Sequence, residues 1–257
     1  MSEVNDLLRE ALTAHEGGRH GEAEALYGQA LAQRPNDARA VHLLGLLFSE
    51  TGRYERALEL MTRSIELAPN VAQFYNNQGE VQRALGRMDD AVAAFGLALR
   101  VNPKFAPAHN NLGSVMLGQN RLADAIASFR SAVEHGPEVV QARNNLAAAL
   151  AQRGQHEEAI EQLRAAIAMD PAYVKGQINL GHLLLKLRRT DESIAAYERG
   201  GYKKSSGRKP AFSYTPIYGR VNADVFCGID HSIGDCRHAA SCVYRDHRKR
   251  DKLSIHC

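Results

Sequence analysis

The sequence predicts an all-α protein over residues 1–200, built from six helix hairpins that repeat every 34 residues. Prolines recur with this period, small residues recur in fixed columns, and apolar residues recur at three- and four-residue spacing within each period. The prolines are Pro35, Pro69, Pro103, Pro137 and Pro171. Agreement among so many columns over six copies excludes a chance repetition.

Each column has a physical reason within a pair of antiparallel helices. When the prolines are counted as position 32, small residues at positions 8 and 20 let the paired helices approach closely, and a large apolar residue at position 24 fills the gap between hairpins. Position 8 holds Ala11, Gly45, Gly79, Gly113, Ala147 and Gly181, position 20 holds Ala23, Ala57, Ala91, Ala125, Ala159 and Ser193, and position 24 holds Tyr27, Met61, Phe95, Phe129, Leu163 and Tyr197. Each proline ends a second helix because it has no backbone N–H to continue the helical hydrogen bonds.

The helices follow in order from these columns. First helices are predicted near 3–17, 38–51, 72–85, 106–119, 140–153 and 174–187, and second helices near 20–33, 54–67, 88–101, 122–135, 156–168 and 190–199. Gly52, Gly86 and Gly154 fit the turns between them, because glycine adopts positive φ at low cost. One hairpin cannot bury its apolar stripe alone, so successive hairpins must stack.

The period and these columns resemble the tetratricopeptide repeat family over residues 1–200, with repeats near 4–37, 38–71, 72–105, 106–139, 140–173 and 174–200. The resemblance implies a right-handed superhelical solenoid whose first helices line a concave groove. It further implies a scaffold or adaptor that binds a protein or peptide partner, rather than an enzyme with catalytic residues or a cofactor.

Asparagine fills two adjacent columns of the first helices. Position 5 holds Asn76, Asn110 and Asn144, and position 6 holds Asn77, Asn111, Asn145 and Asn179. Asparagine is a middling helix former, so helix propensity does not explain these columns. Its amide carries the donor and acceptor that one peptide group of an extended chain needs.

The Asn-Asn runs are similar to the repeats of O-linked N-acetylglucosamine transferases. This similarity implies that Asn77, Asn111, Asn145 and Asn179 form a ladder that holds extended peptide segments, and the ladder starts at repeat three because repeat two carries Leu43 at position 6. Asn76, Asn110 and Asn144 are further peptide-binding candidates beside it. The alternative is that the asparagines hydrogen-bond to one another across adjacent helices inside the stack.

Two further binding chemistries are not predicted. Repeats that bind chaperone C-terminal carboxylates carry Lys and Asn at positions 5 and 9, whereas these positions here hold Asn76 and Glu80, Asn110 and Ser114, and Asn144 and Ala148. Seven histidines lie in the repeats, and we expect exposed positions and no metal or catalytic role for them. They are His15, His20, His42, His109, His135, His156 and His182.

Residues 201–257 differ in composition from the repeats. The repeats contain 21 Lys and Arg against 24 Asp and Glu and have no cysteine, whereas the C-terminal segment contains 11 against 5 and has all four cysteines. The net charge of +3 therefore sums two unlike segments and gives no evidence for a nucleic-acid partner. The stretch 203–210 is turn-rich and basic, as in a linker.

We expect residues 201–257 to be a basic Cys- and His-containing tail, irregular or disordered, or else the product of a frameshift near residue 200. The local pattern favours a short strand near 213–219 or 221–227, or a helix near 237–246. The cysteines Cys227, Cys236, Cys242 and Cys257 and the histidines His231, His238, His247 and His256 lack a C-x-x-C spacing, so no zinc site is predicted there.

The abrupt end of the repeats leaves two alternatives open. The chain could be the substrate-recruiting region of a truncated glycosyltransferase-like enzyme whose catalytic domain is missing, or it could self-associate through the uncapped end of repeat six. The acidic N-terminus and the absence of an apolar run of membrane-spanning length favour a soluble, cytoplasmic protein without membrane contact.

Overall fold

The structure is a computed structural model that describes residues 2–204, 214–216, 242–245 and 252–255. Its repeat region consists of helices arranged as six hairpins. The helices are α1 (Ser2–Glu16), α2 (His20–Gln33), α3 (Ala38–Glu50), α4 (Tyr54–Leu67), α5 (Ala72–Ala84), α6 (Met88–Val101), α7 (Ala106–Gly118), α8 (Leu122–His135), α9 (Val140–Gln152), α10 (His156–Met169), α11 (Val174–Lys186) and α12 (Thr190–Arg199). Each predicted helix start and end lies within one residue of these bounds, which confirms the helical solenoid.

The chain divides into two compact units, Met1–Gly136 and Pro137–Cys257. In the first unit α1 to α8 form four hairpins, and each second helix contacts the first helix of the next hairpin. In the second unit α9 to α12 form two hairpins that contact each other through α10 and α11. Among the described helices, none is long and apolar enough to cross a membrane.

Close helix approach depends on the columns of small residues. The alanines at position 20 are fully buried in the first five repeats. A Cβ atom at Gly79 would lie 2.6 Å from Cε1 of Phe95, and one at Gly113 would lie 2.8 Å from Cδ1 of Phe129. The ring at position 24 therefore packs directly against the backbone at position 8, as the columns predict.

The turns inside the hairpins share a left-handed residue at position 15. Gly52, Gly86 and Gly154 have φ of +76°, +77° and +86°. Two turns without glycine adopt the same conformation, with φ of 58° at Asn120 and 61° at Arg188. Asparagine tolerates this region, but a long side chain is strained in it. The fold thus imposes the turn even where the sequence disfavours it.

The described part of the C-terminal segment forms two short antiparallel pairs. Strand β1 (Tyr202–Lys204) pairs with β2 (Tyr214–Pro216), and β3 (Cys242–Arg245) pairs with β4 (Lys252–Ile255). Strand β2 lies within the stretch 213–219, one of the two stretches where the sequence favours a strand. Strand β3 replaces the helix favoured near 237–246, consistent with the high strand propensity of its Val-Tyr pair.

Several expectations for this segment fall outside the described residues. They include the strand near 221–227, most of the 203–210 linker, and every candidate zinc ligand of the segment except Cys242. These expectations stay predictions from the sequence.

Candidate peptide-binding face

The candidate site is the surface that neighbouring first helices form, which we call the first-helix face. In the first unit this face comprises α1, α3, α5 and α7, and in the second unit a separate first-helix face comprises α9 and α11. Helices α3 and α5, α5 and α7, and α9 and α11 contact each other directly. All seven asparagines lie on these helices, two each on α5, α7 and α9 and one on α11.

The asparagines differ in their exposure. Asn76, Asn77, Asn144 and Asn179 are buried, with exposed fractions of 2%, 6%, 8% and 4%. Asn110, Asn111 and Asn145 are half-buried. The first group therefore presents little surface to a ligand, and the second group presents more.

A hydrogen bond between repeats recurs along the face. The amide nitrogen at position 6 donates to the position-5 side chain of the preceding repeat, 35 residues earlier. Asn111 Nδ2 donates to Asn76 Oδ1 at 3.1 Å, and Asn179 Nδ2 donates to Asn144 Oδ1 at 2.8 Å. These bonds satisfy buried amides and join adjacent first helices, as in the second interpretation of the asparagine columns.

Repeat two takes part in this pattern through a histidine. The Asn77 Nδ2 donates to His42 Nε2 at 2.9 Å, so His42 stands at position 5 where later repeats carry asparagine. Its ring stacks on Phe74 with centroids 4.1 Å apart. Burial lowers the pKa of His42 to about 4, which keeps the ring neutral and Nε2 able to accept.

The bonds between repeats therefore extend back to His42 in repeat two, whereas the asparagines of position 6 begin with Asn77 in repeat three. The sequence signal that could have revealed it is the polar residue at position 5, since His42 lies 34 residues before Asn76. Position 6 alone does not define the ladder, because each bond needs residues from both columns.

Further polar contacts surround the ladder on α5. Gln73 Nε2 donates to Asn77 Oδ1 at 2.6 Å, and Asn111 Nδ2 donates a second bond, at 3.0 Å, to Oε1 of Glu80. Both amide hydrogens of Asn111 are thus engaged. Its Oδ1 accepts no hydrogen bond from the residues that the structure describes, so this half-buried atom remains an acceptor for a ligand.

The expectation of scattered, exposed histidines is wrong. His15 and His42 are buried, and His20, His109, His135, His156 and His182 are half-buried. The rings of His15 and His20 lie 6.2 Å apart, and those of His109 and His135 lie 5.6 Å apart. Each pair joins the two helices of one hairpin. Antiparallel packing of these helices brings the two side chains together although they occupy different positions of the repeat.

Family models described as tetratricopeptide repeat match this chain at residues 14–81, 76–134, 110–174 and 150–205. These overlapping matches run from residue 14 to residue 205 and cover the whole array except its N-terminal end. No curated protein matches the chain significantly.

Solved structures share the fold at low identity. A structure of PilF from Pseudomonas aeruginosa has a TM-score of 0.67 and 18% identity, over 76% of this chain and 88% of that chain. A thermophilic TPR protein of Thermus thermophilus has a TM-score of 0.59 and 24% identity, over 71% and 99%. YrrB, described as a TPR protein with an unusual peptide-binding site, has a TM-score of 0.53 and 23% identity, over 68% and 90%.

Proposed function

The chain belongs to the tetratricopeptide repeat family, and from that premise we propose that it is a protein-interaction scaffold whose first-helix face binds extended segments of a partner. Proteins of this family generally mediate protein–protein interaction, and YrrB carries a peptide-binding site on a similar fold. The observation that carries the proposal is the row of side-chain amides on contacting first helices, together with the Oδ1 atom of Asn111, which accepts no hydrogen bond from the described residues.

The asparagines have two tasks in this binding mode. Asn76, Asn77, Asn144 and Asn179 are buried in bonds between first helices, so they position the face. Asn110, Asn111 and Asn145 are half-buried and are the residues that we assign to direct peptide contact. In this proposal, four of the seven asparagines hold the first helices together, and the three half-buried ones contact the peptide.

The spacing of neighbouring first helices supports an extended ligand that is recognised through its backbone. Neighbouring helices lie about 10 Å apart, and an extended chain advances about 3.3 Å per residue. One amide would therefore meet the ligand at about every third residue. Since every residue offers the same peptide group, such contacts tolerate many ligand sequences.

The charge on the first-helix face limits which peptide segments can bind. The Asn111 amide hydrogens already reach Asn76 and Glu80, so Asn111 offers an acceptor to a backbone N–H of the ligand. Glu80 is half-buried beside it and adds a negative charge. We therefore propose a neutral or basic segment as the ligand, because an acidic one would be repelled.

The test starts with selection of peptides from a displayed random-sequence library on the full-length chain. Selected peptides are then titrated against the unmodified chain and against a triple variant, Asn110→Ala with Asn111→Ala and Asn145→Ala. Loss of backbone hydrogen bonds should weaken binding by roughly tenfold. Unchanged affinity in a variant with intact helicity would contradict the proposed contacts.

Two controls make the result specific. Arg100→Ala removes an exposed charge from the second helix α6, away from the first helices, and should leave affinity unchanged. Glu80→Gln should weaken basic peptides more than neutral ones. Selected peptides that are predominantly acidic would overturn the proposed charge of the partner.

A further inference from the structure

Three metal-binding side chains meet where the first two repeats join. His15 lies near the end of α1, His20 begins α2, and Glu50 ends α3. One potential ligand atom from each lies within 4.8 Å of the other two. From this geometry we propose that His15, His20 and Glu50 bind a divalent zinc ion.

The short turn of the first hairpin creates the histidine pair. Gly18 has a φ of +71°, and the turn bonds Gly18 N to His15 O at 3.0 Å and Arg19 N to Ala14 O at 2.9 Å. This chain reversal places the rings of His15 and His20 6.2 Å apart at 71° to each other. The carboxylate of Glu50 arrives from the next repeat, with Oε2 2.9 Å from Nε2 of His15.

The surroundings suit a cation. The side chain of His15 is 8% exposed, whereas that of Glu50 is 57% exposed, so the site opens to solvent on the carboxylate side. Nδ1 of His20 is buried and has no hydrogen-bond partner among the described residues. No described protein group therefore competes for this nitrogen of the imidazole.

Tyr27 can fix the orientation of His15. Its hydroxyl lies 3.3 Å from Nδ1 of His15, and the two rings meet edge to face. When Nδ1–H donates to this oxygen, the lone pair of Nε2 is directed to a metal, the arrangement common for zinc-bound histidine.

The donor set favours zinc over harder cations. Two imidazoles and one carboxylate suit Zn²⁺, whereas Ca²⁺ and Mg²⁺ require oxygen ligands. Ligand atoms of a tetrahedral zinc ion lie about 3.3 Å apart, given bonds of about 2.0–2.1 Å. The exposed carboxylate of Glu50 can adjust to this spacing, and a fourth position remains for water. A bound ion would clamp α1 and α2 to α3.

The chain offers a matched control for this site. His109 and His135 form a pair with a similar ring separation of 5.6 Å, but they belong to no three-ligand group among the described residues. Replacement of His135 therefore removes one histidine of a comparable pair without touching the proposed site.

The experiment is a zinc titration of the full-length chain after removal of metal with a chelator. Because the C-terminal segment contains four cysteines, all proteins carry the replacements Cys227→Ser, Cys236→Ser, Cys242→Ser and Cys257→Ser. One equivalent of Zn²⁺ should bind and raise the Tm. His20→Gln and Glu50→Gln should each lose that equivalent and the Tm increase, while His135→Gln should keep both.

A second measurement separates a metal ligand from a residue that only stabilises the fold. Tyr27→Phe removes one hydroxyl from the outer shell and should weaken zinc binding by roughly tenfold. The proposal is overturned if the parent chain binds no zinc, or if His20→Gln and Glu50→Gln bind it as tightly as His135→Gln does.

Discussion

Asn179 donates from Nδ2 to Oδ1 of Asn144 at 2.8 Å, although the two residues are 35 positions apart in the chain. Both side chains are buried, on contacting first helices of the second unit. A buried amide is stabilising only while its partner is present, because an unpaired buried polar atom keeps its full desolvation cost.

Replacement of Asn179 by Ala should therefore lower the free energy of unfolding by about 1–3 kcal/mol. The change removes the donor and leaves Oδ1 of Asn144 buried without it. Urea denaturation followed by circular dichroism measures the loss. In a double-mutant cycle with Asn144→Ala the two effects should be non-additive, and strict additivity would show that this bond contributes nothing.

Gly79 should not accept a methyl group without loss of stability. A Cβ there would lie 2.6 Å from the ring of Phe95, so Gly79→Ala should cost about 1–3 kcal/mol through overpacking. The added Phe95→Leu should recover part of this loss, since repeat five carries Ala147 and Leu163 at the two corresponding positions and buries both. Thermal denaturation of the single and double variants tests the pair.

The control for this prediction is Phe95→Leu alone. It should destabilise the chain because it leaves space beside Gly79. Repeat one combines Ala11 with the ring of Tyr27, so a methyl group at position 8 is compatible with a ring at position 24 in some repeats. The cost expected at Gly79 therefore reflects the local spacing of its two helices. If the double variant is no more stable than Gly79→Ala, the clash is not the cause.

His42 should make stability depend on pH. Its pKa is about 4 in the folded protein and 6.5 without burial, so the unfolded chain binds the proton first as pH falls. The stabilisation is complete above pH 6.5 and is lost progressively down to about pH 4. Between pH 7 and pH 5 the expected loss is about 2 kcal/mol.

His42→Asn should remove this part of the pH dependence, because asparagine fills position 5 in the next three repeats and does not titrate. Burial also lowers the pKa of His182, so some acid sensitivity should persist in the variant. Unfolding curves for both proteins at pH 7 and pH 5 give the difference. An identical pH dependence would mean that His42 ionises normally in the fold.

Replacement of Arg188 by glycine should stabilise the fold. Its φ of 61° lies in the left-handed region, where a side chain is strained, and its own side chain is exposed. Arg188→Gly should raise the free energy of unfolding by about 0.5–1 kcal/mol. The reverse change, Gly86→Arg at the same position of repeat three, should lower it by a similar amount. A lower Tm for Arg188→Gly would refute the role of backbone strain.

The helices and their packing columns could be predicted from the sequence because each depends on local rules repeated six times. Helix spacing, proline stops and small residues at contact positions each report on a single hairpin. The burial of Tyr27, Phe95 and Phe129 follows directly from them. The left-handed turn at Arg188 could not be predicted by residue type, since there the packed helices override local preference.

The sequence was less informative about what the polar residues contact. An asparagine column is compatible with a ligand and with bonds between repeats, and only the three-dimensional offset of two columns shows which bonds form. The same holds for a second feature, the arginine that precedes most second helices. Arg19, Arg121 and Arg189 each pair with a carboxylate three residues later, a regularity that periodic apolar patterns do not reveal.

The 35-residue offset of the ladder bonds bears on how such an array can change its length. Repeats three, four and five each carry one asparagine at position 5 and another at position 6, the acceptor and donor types that these bonds use. Deletion of residues 72–105, one complete period, would place Asn111 opposite His42 in the shortened chain, with the same donor and acceptor types that now meet at Asn77. Duplication or loss of whole repeats can therefore occur in evolution without the redesign of a polar interface.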